Sequence, residues 1–185
     1  MVCIVDCGSE YIGKLTELVC GFGYTCTTIP DTDIANADMS GFSHVIISGA
    51  PTMLTEMDTK EYVSRFSFIK TAHIPILGIC NGHQVMGLLF GATISRGDMI
   101  HRMEPISIIQ NDLLFAGISD RTAFQEEHRE FITLPEGFTL LASSPSCSNE
   151  AMRHTSKPLY GVQFHPEASG QPGNTVIRNF LTTTE

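Results

Sequence analysis

The chain has 185 residues, 42% of them apolar and 17% charged, enough for one soluble globular domain with a sizeable core. Eleven basic against twenty acidic residues give a net charge of −9, and no Lys/Arg cluster offsets it, which argues against a nucleic-acid footprint. The apolar runs fall far short of a membrane span and no charged leader opens the chain, so no membrane association and a cytoplasmic location are expected.

In chain order, Val2–Val5 reads as a strand and Glu10–Cys20 as a helix, stopped by Gly21 and Gly23. Tyr24–Ile29 is β-branched and ends at Pro30, which predicts a second strand. A polar turn with a short helical piece covers Asp31–Met39, and His44–Ser48 is a third strand broken by Gly49-Ala50-Pro51. Asp58–Lys70 predicts a helix with Tyr62, Phe66 and Ile69 on one face. Ile74–Leu77 is a buried strand, and Val85–Phe90 opens another helix. The second half is less regular. Ala92–Ser95, Pro105–Ile109, Phe138–Ala142 and Leu159–Phe164 predict strands, Arg96–Arg102 a solvated polar loop, and Asn174–Leu181 a closing helix. The alternation predicts an α/β fold: one domain over residues 1–185, with a mostly parallel twisted sheet covered by helices on both faces.

Cys80 stands in Gly78-Ile79-Cys80-Asn81-Gly82-His83-Gln84, between a strand and a helix. A reactive residue between glycines at such a corner is a nucleophile elbow. The helix N-terminus behind it favours a thiolate and presents N–H groups to an anion. A thiolate nucleophile needs a basic partner and a group to orient that partner. Phe164-His165-Pro166-Glu167 follows an apolar strand and supplies both, Glu167 taking one imidazole N–H while the other nitrogen faces Cys80. An oxyanion hole needs two backbone donors; Asn81 offers one, and Gly49 or Ala50 in the loop after the third strand offers the other.

The remaining cysteines, Cys3, Cys7, Cys20, Cys26 and Cys147, form no C-x-x-C pair and read as buried reduced thiols. There is no H-E-x-x-H segment, so no metal site is expected. Gly8–Leu15 nearly matches a phosphate-binding loop, but Leu15 stands where a hydroxyl would have to reach Mg²⁺.

Gly78–Gln84 as G-x-C-x-G-x-Q, with Gln163–Glu167 as Q-F-H-P-E, resembles the class I, triad-type glutamine amidotransferases. Asp6–Tyr11 is similar to the D-x-G-S-x-Y opening of GMP synthetase glutaminase domains. Glu150–His154 with Tyr160–Gln163 is similar to the separately encoded, archaeal-type glutaminase subunit of that enzyme. The resemblance implies a flavodoxin-like fold and hydrolysis of glutamine, with ammonia delivered to a separate ATP-pyrophosphatase synthetase subunit that aminates XMP. It implies no cofactor in this chain, ATP and Mg²⁺ belonging to that partner. It carries over Cys80 as nucleophile, His165 as acid and base, Glu167 as its orienting group, and Gln84, Glu127 and His128 as substrate contacts.

This chain departs from the family pattern in three places. Ala50 replaces the second glycine of S-G-G-P; Gln125–Glu130 stands where the family has S-H-x-D; and Ser95–Glu104 lacks the family's E-[YF]-G. Other readings of the same residues are a glutaminase serving a different acceptor, a Cys-dependent γ-glutamyl hydrolase, and a non-catalytic glutamine-binding or regulatory module.

Overall fold

The computed structural model describes residues 1–184; Glu185, the last residue of the expected domain, lies outside the described residues. Strands β1 (Val2–Asp6), β2 (Cys26–Pro30), β3 (His44–Ile47) and β4 (Ile76–Ile79) alternate with helices α1 (Ile12–Gly21), α2 (Thr59–Ser64) and α3 (Asn81–Leu89). Then come β5 (Ile94–Pro105), β6 (Ser107–Ile108), β7 (Ala123–Ile132), β8 (Phe138–Ser143), β9 (Ala151–His154), β10 (Leu159–Val162) and α4 (Gly170–Leu181).

Eight strands form one sheet in the order β2-β1-β3-β4-β10-β9-β8-β6. The pairs β1/β2, β1/β3, β3/β4 and β4/β10 are parallel. The pairs β10/β9, β9/β8 and β8/β6 are antiparallel. The expected α/β sheet is therefore present, extended on one side by an antiparallel wing.

The apolar strands are buried on both faces, and alternate residues enter two cores. Val2, Ile4 and Ile46 pack with Leu15, Val19, Ile177 and Phe180 on one side. Cys3, Val5 and Ile47 pack with Tyr62, Phe66, Val85 and Met86 on the other. The expected Asp58–Lys70 helix divides into α2 and a 3-10 turn at Ser67–Lys70. Asp58 caps α2 by accepting from the N–H groups of Lys60 and Glu61. The tighter second turn keeps Phe66 and Ile69 on one buried face, as the spacing predicted.

The larger correction concerns β5 and β7. Arg96–Arg102 is solvent-facing as expected, but it is strand, not loop. It pairs antiparallel with β7, with a register shift between Arg96 and Ile100. Arg96 also forms an ion pair with Glu56. β7 itself was not foreseen. It runs beside the C-terminal ends of the parallel strands and touches β10's exit through a bridge between Gln125 and His165. Among the five cysteines expected to be buried, Cys3, Cys7 and Cys147 are, whereas Cys20 is exposed and Cys26 half-exposed. Both lie at the ends of their elements, where neither sheet nor helix covers them.

The corner between β4 and α3 has no room to spare. A Cβ on Gly78 would sit 2.5 Å from the carbonyl carbon and oxygen of Gly82. Backbone cannot retreat there, because β4 is hydrogen-bonded between β3 and β10. Gly78→Ala is expected to destabilise the fold by about 2 kcal/mol or more, read as a lowered denaturant midpoint with an unchanged m-value.

Candidate active site

Cys80 follows β4 directly and occupies φ 49°, ψ −101°, a conformation that L-residues rarely adopt. Its N–H donates to the Val162 carbonyl at 2.8 Å and its carbonyl accepts from the Gln84 N–H at 3.0 Å, so the strain is held from both sides. The sulfur then projects from the sheet edge at the N-terminus of α3, where the helix dipole favours negative charge. The Asn81 amide, in the first turn of α3, has no partner inside its helix.

His165 arrives after β10. Its N–H donates to the Gln125 carbonyl at 2.8 Å and its carbonyl accepts from the Ser169 hydroxyl at 2.6 Å. Ser169 Oγ in turn accepts from the Gln125 N–H at 2.9 Å, so the backbone around His165 is locked onto β7. Nδ1 of His165 lies 2.8 Å from Glu167 Oε1, and both side chains are buried. With Glu167 ionised, Nδ1 carries the proton and Nε2 is left for the thiol. Burial on its own depresses the His165 pKa. The neighbouring Cys80 sulfur and the hydrogen-bonded Glu167 carboxylate outweigh it and hold the pKa well above the usual histidine value.

The loop after β3 closes the third side. A Cβ on Gly49 would lie 2.8 Å from His165 Cε1 and 3.6 Å from Cys80 Cβ, so Gly49 is where the backbone meets the reacting groups. Ala50 is not in a positive-φ conformation, so the replacement of the family's second glycine introduces no backbone strain. Ser48 Oγ accepts from the Cys7 N–H at 3.0 Å and donates to the Gly49 carbonyl at 2.9 Å, fixing the loop against the end of β1.

These groups border a pocket of about 310 Å³. Its walls include Cys80, Asn81, Gln84 and His165, together with Ala50, Glu127, His128 and Glu130, so seven of the nine residues singled out from sequence line it. Glu167 stands behind His165, and Gly49 packs against His165 and Cys80. Gln84 Nε2 is committed to the Glu130 carbonyl at 2.8 Å and to Gln163 Oε1 at 3.1 Å. Gln163 Nε2 donates to Cys80 Sγ at 3.5 Å. Gln84 thus supports Gln163 beneath Cys80. Glu127 Oε2 accepts from the Tyr11 hydroxyl at 2.7 Å, a bond that joins β7 to the loop after β1. The Tyr11 ring meets the His165 imidazole edge-on, with centroids 5.2 Å apart.

Sequence reasoning gave no site role to Tyr11, Gln163 or Glu130. Tyr11 and Gln163 belong to the family-like segments Asp6–Tyr11 and Gln163–Glu167, and that was the available signal. Glu130 accepts from the N–H groups of Leu54 and Thr55 at 2.8 and 2.9 Å, and this link follows only from the course of β7.

His128 points inward to a buried group with Glu126 and Glu150, whose ligand atoms all lie within 4.8 Å of one another. Burial raises the Glu126 pKa to about 8 and holds Glu150 well above its ordinary value, the second carboxylate adding to the rise at Glu150. Burial depresses His128. Two neighbouring carboxyls that cannot both ionise share a proton, and an uncharged His128 stands beside them at neutral pH.

The family model described as class-I glutamine amidotransferase matches residues 3–184. The chain belongs to that family. Within it, this amidotransferase is 33% identical over 187 residues to a Pyrococcus abyssi protein named as a glutamine-hydrolysing GMP synthase subunit, covering 97% of this chain and 96% of the relative. A Methanocaldococcus jannaschii protein of the same name is 31% identical over 188 residues, covering 97% and 95%. A crystal structure of a Thermoplasma acidophilum protein superposes with a TM-score of 0.88 at 27% identity, covering 97% of this chain and 91% of that one. A glutamine amidotransferase structure from Thermotoga maritima, 19% identical with a TM-score of 0.78 and covering 97% and 81%, shares the fold.

The proton on the carboxyl pair has a measurable consequence. Below pH 4.5 Glu126 is protonated whether folded or unfolded. Between 4.5 and about 8 it keeps its proton only when folded, so stability contributed there falls as pH rises. Relative to Glu126→Gln, the wild-type chain should lose stability across that window by up to about 1.4 kcal/mol per pH unit, measured as the difference between two urea-denaturation series.

Proposed function

We propose that this amidotransferase hydrolyses glutamine to glutamate and ammonia through Cys80, His165 and Glu167, and that the ammonia passes to a separate ATP-dependent synthetase subunit converting XMP to GMP. The observation that carries the chemistry is the strained Cys80 at a helix N-terminus, coupled to a buried imidazole that Glu167 holds at 2.8 Å. The GMP branch is supported by relatives of matching length that bear the name of that enzyme's glutamine-hydrolysing subunit.

In this reading the Cys80 thiolate attacks the side-chain amide carbon of glutamine. The developing oxyanion is met by the N–H of Asn81 and by that of Gly49 or Ala50. His165, as imidazolium, protonates the leaving nitrogen, and ammonia departs from a γ-glutamyl thioester. The now neutral His165 takes a proton from water, which attacks the thioester and releases glutamate. Glu167 keeps the proton on Nδ1 and steadies the imidazolium. Glu127 is assigned to the pocket wall against which the substrate's α-ammonium rests, while His128, turned inward, and Gln84, committed to Glu130 and Gln163, support that wall. No cofactor is required of this chain; ATP and Mg²⁺ would act on the partner. No described helix is long and apolar enough to cross a membrane, and a cytoplasmic setting fits purine synthesis.

Glutamate release by the purified chain, alone and with an ATP-pyrophosphatase GMP synthetase subunit, XMP and ATP-Mg, tests both halves of the proposal. Release should rise when the synthetase is present and fall to background in Cys80→Ala. Wild-type turnover in that variant would refute the nucleophile, and equal turnover with and without the synthetase would refute activation by docking. Glu167→Gln should lower kcat by about 100-fold or more while KM changes little, because the lost group orients the base and does not bind substrate.

A further inference from the structure

Cys20 and Cys26 lie away from the pocket, at the other end of α1 from its loop to β1. Cys20 is the penultimate residue of α1 and is exposed; Cys26 begins β2, the edge strand, and is half-exposed. Their Sγ atoms are 3.4 Å apart. The intervening turn is held by the Gly23 N–H donating to the Cys20 carbonyl at 2.9 Å, with Gly23 at φ +88°. The start of β2 is fixed as well, because Cys26 stands in register with Val2. Two thiols are thus held in contact by ordered backbone on both sides.

Neither cysteine belongs to the buried cluster with metal-ligand spacing, so metal ligation does not account for the pair. Core packing accounts for Cys26 in part, since it is half-buried against the core, but not for the exposed Cys20.

We propose that Cys20 and Cys26 form an oxidation site that closes to a reversible intramolecular disulfide under a peroxide. The exposed Cys20 sulfur attacks one peroxide oxygen; an S–O bond forms, the O–O bond breaks, and the other oxygen leaves as water after taking a proton. The Cys26 sulfur then attacks Cys20 sulfur. An S–S bond forms, the S–O bond breaks, and the departing hydroxide takes the Cys26 proton as water. Two thiols and one peroxide become one disulfide and two waters. Burial and the adjacent Cys20 raise the Cys26 pKa to about 12, so Cys26 is not the thiol that meets the peroxide first. The sulfurs must approach by roughly 1.4 Å to reach bonding distance, a shift that a helix end and a turn can absorb. The product staples the end of α1 to the edge strand.

The test is peptide mapping of the whole chain after mild hydrogen peroxide and alkylation of free thiols, without reductant. The peptide holding both cysteines should be lighter by two hydrogens, escape alkylation, and become doubly alkylated after dithiothreitol. Cys20→Ser and Cys26→Ser should each abolish that species. Alkylation of both thiols in the peroxide-treated wild type, or Cys20 passing to sulfinic acid while Cys26 stays alkylatable, would overturn the proposal.

Discussion

The site depends on one backbone constraint, the positive-φ conformation of Cys80 at the junction of β4 and α3. A non-glycine residue stays there only when its surroundings over-determine it. Here the Val162 carbonyl holds the Cys80 N–H, the first turn of α3 holds its carbonyl, and two missing Cβ atoms let the chain turn. Gly82 is as constrained as Gly78, since a Cβ on it would lie 2.6 Å from the Ile47 carbonyl oxygen. The position of Cys80 is therefore set by β3, β4 and β10 together, strands far apart in sequence. The same closeness sends the loop after β3 and the exit of β10 to the sulfur, as expected where parallel strands end at a common edge.

The second constraint is β7. Its inward residues are Phe124, Glu126, His128, Glu130 and Ile132, all buried. Three polar groups on the core side of a strand would be costly if unpartnered. Glu130 offsets this by accepting from two backbone N–H groups that shape the pocket wall. Glu126 and His128 approach to 3.4 Å beside Glu150. On the other face, Gln125 anchors His165 and Glu127 holds Tyr11. β7 thus joins three elements that the main sheet alone would leave unconnected.

This division explains what the sequence could reveal. The strands β1, β3 and β4 are continuous apolar runs between turn residues, and such runs announce doubly covered strands. Cys80 and the His165–Glu167 pair were legible because each sits in a short segment whose chemistry is local: an elbow, and a base beside its orienting carboxylate. β7 was not legible. Gln125–Glu130 consists wholly of charged or amide side chains and a histidine, and the rule that polar residues face water reads such a stretch as surface. β5 failed for a related reason, since its exposed face offers no alternation and its strand character comes from pairing with β7. Tyr11 and Gln163 act through long-range contacts, 116 and 83 residues from their partners, which no local window contains.

The charge arrangement links these parts. The His165 imidazole stands between Cys80 and Glu167 in a poorly solvated site, and both neighbours favour its protonated form. A further pair of ionised carboxylates close behind would add repulsion that the interior screens weakly. Glu126 and Glu150 avoid it by retaining a proton, and His128 avoids the opposite problem by remaining neutral, so that it does not compete with His165 as the cation. Burial is the first cause of both outcomes. The depth at which β7 places its polar face is thus what leaves His165 as the cation of this site, and the strand least evident in the sequence sets the electrostatics of the residues most evident in it.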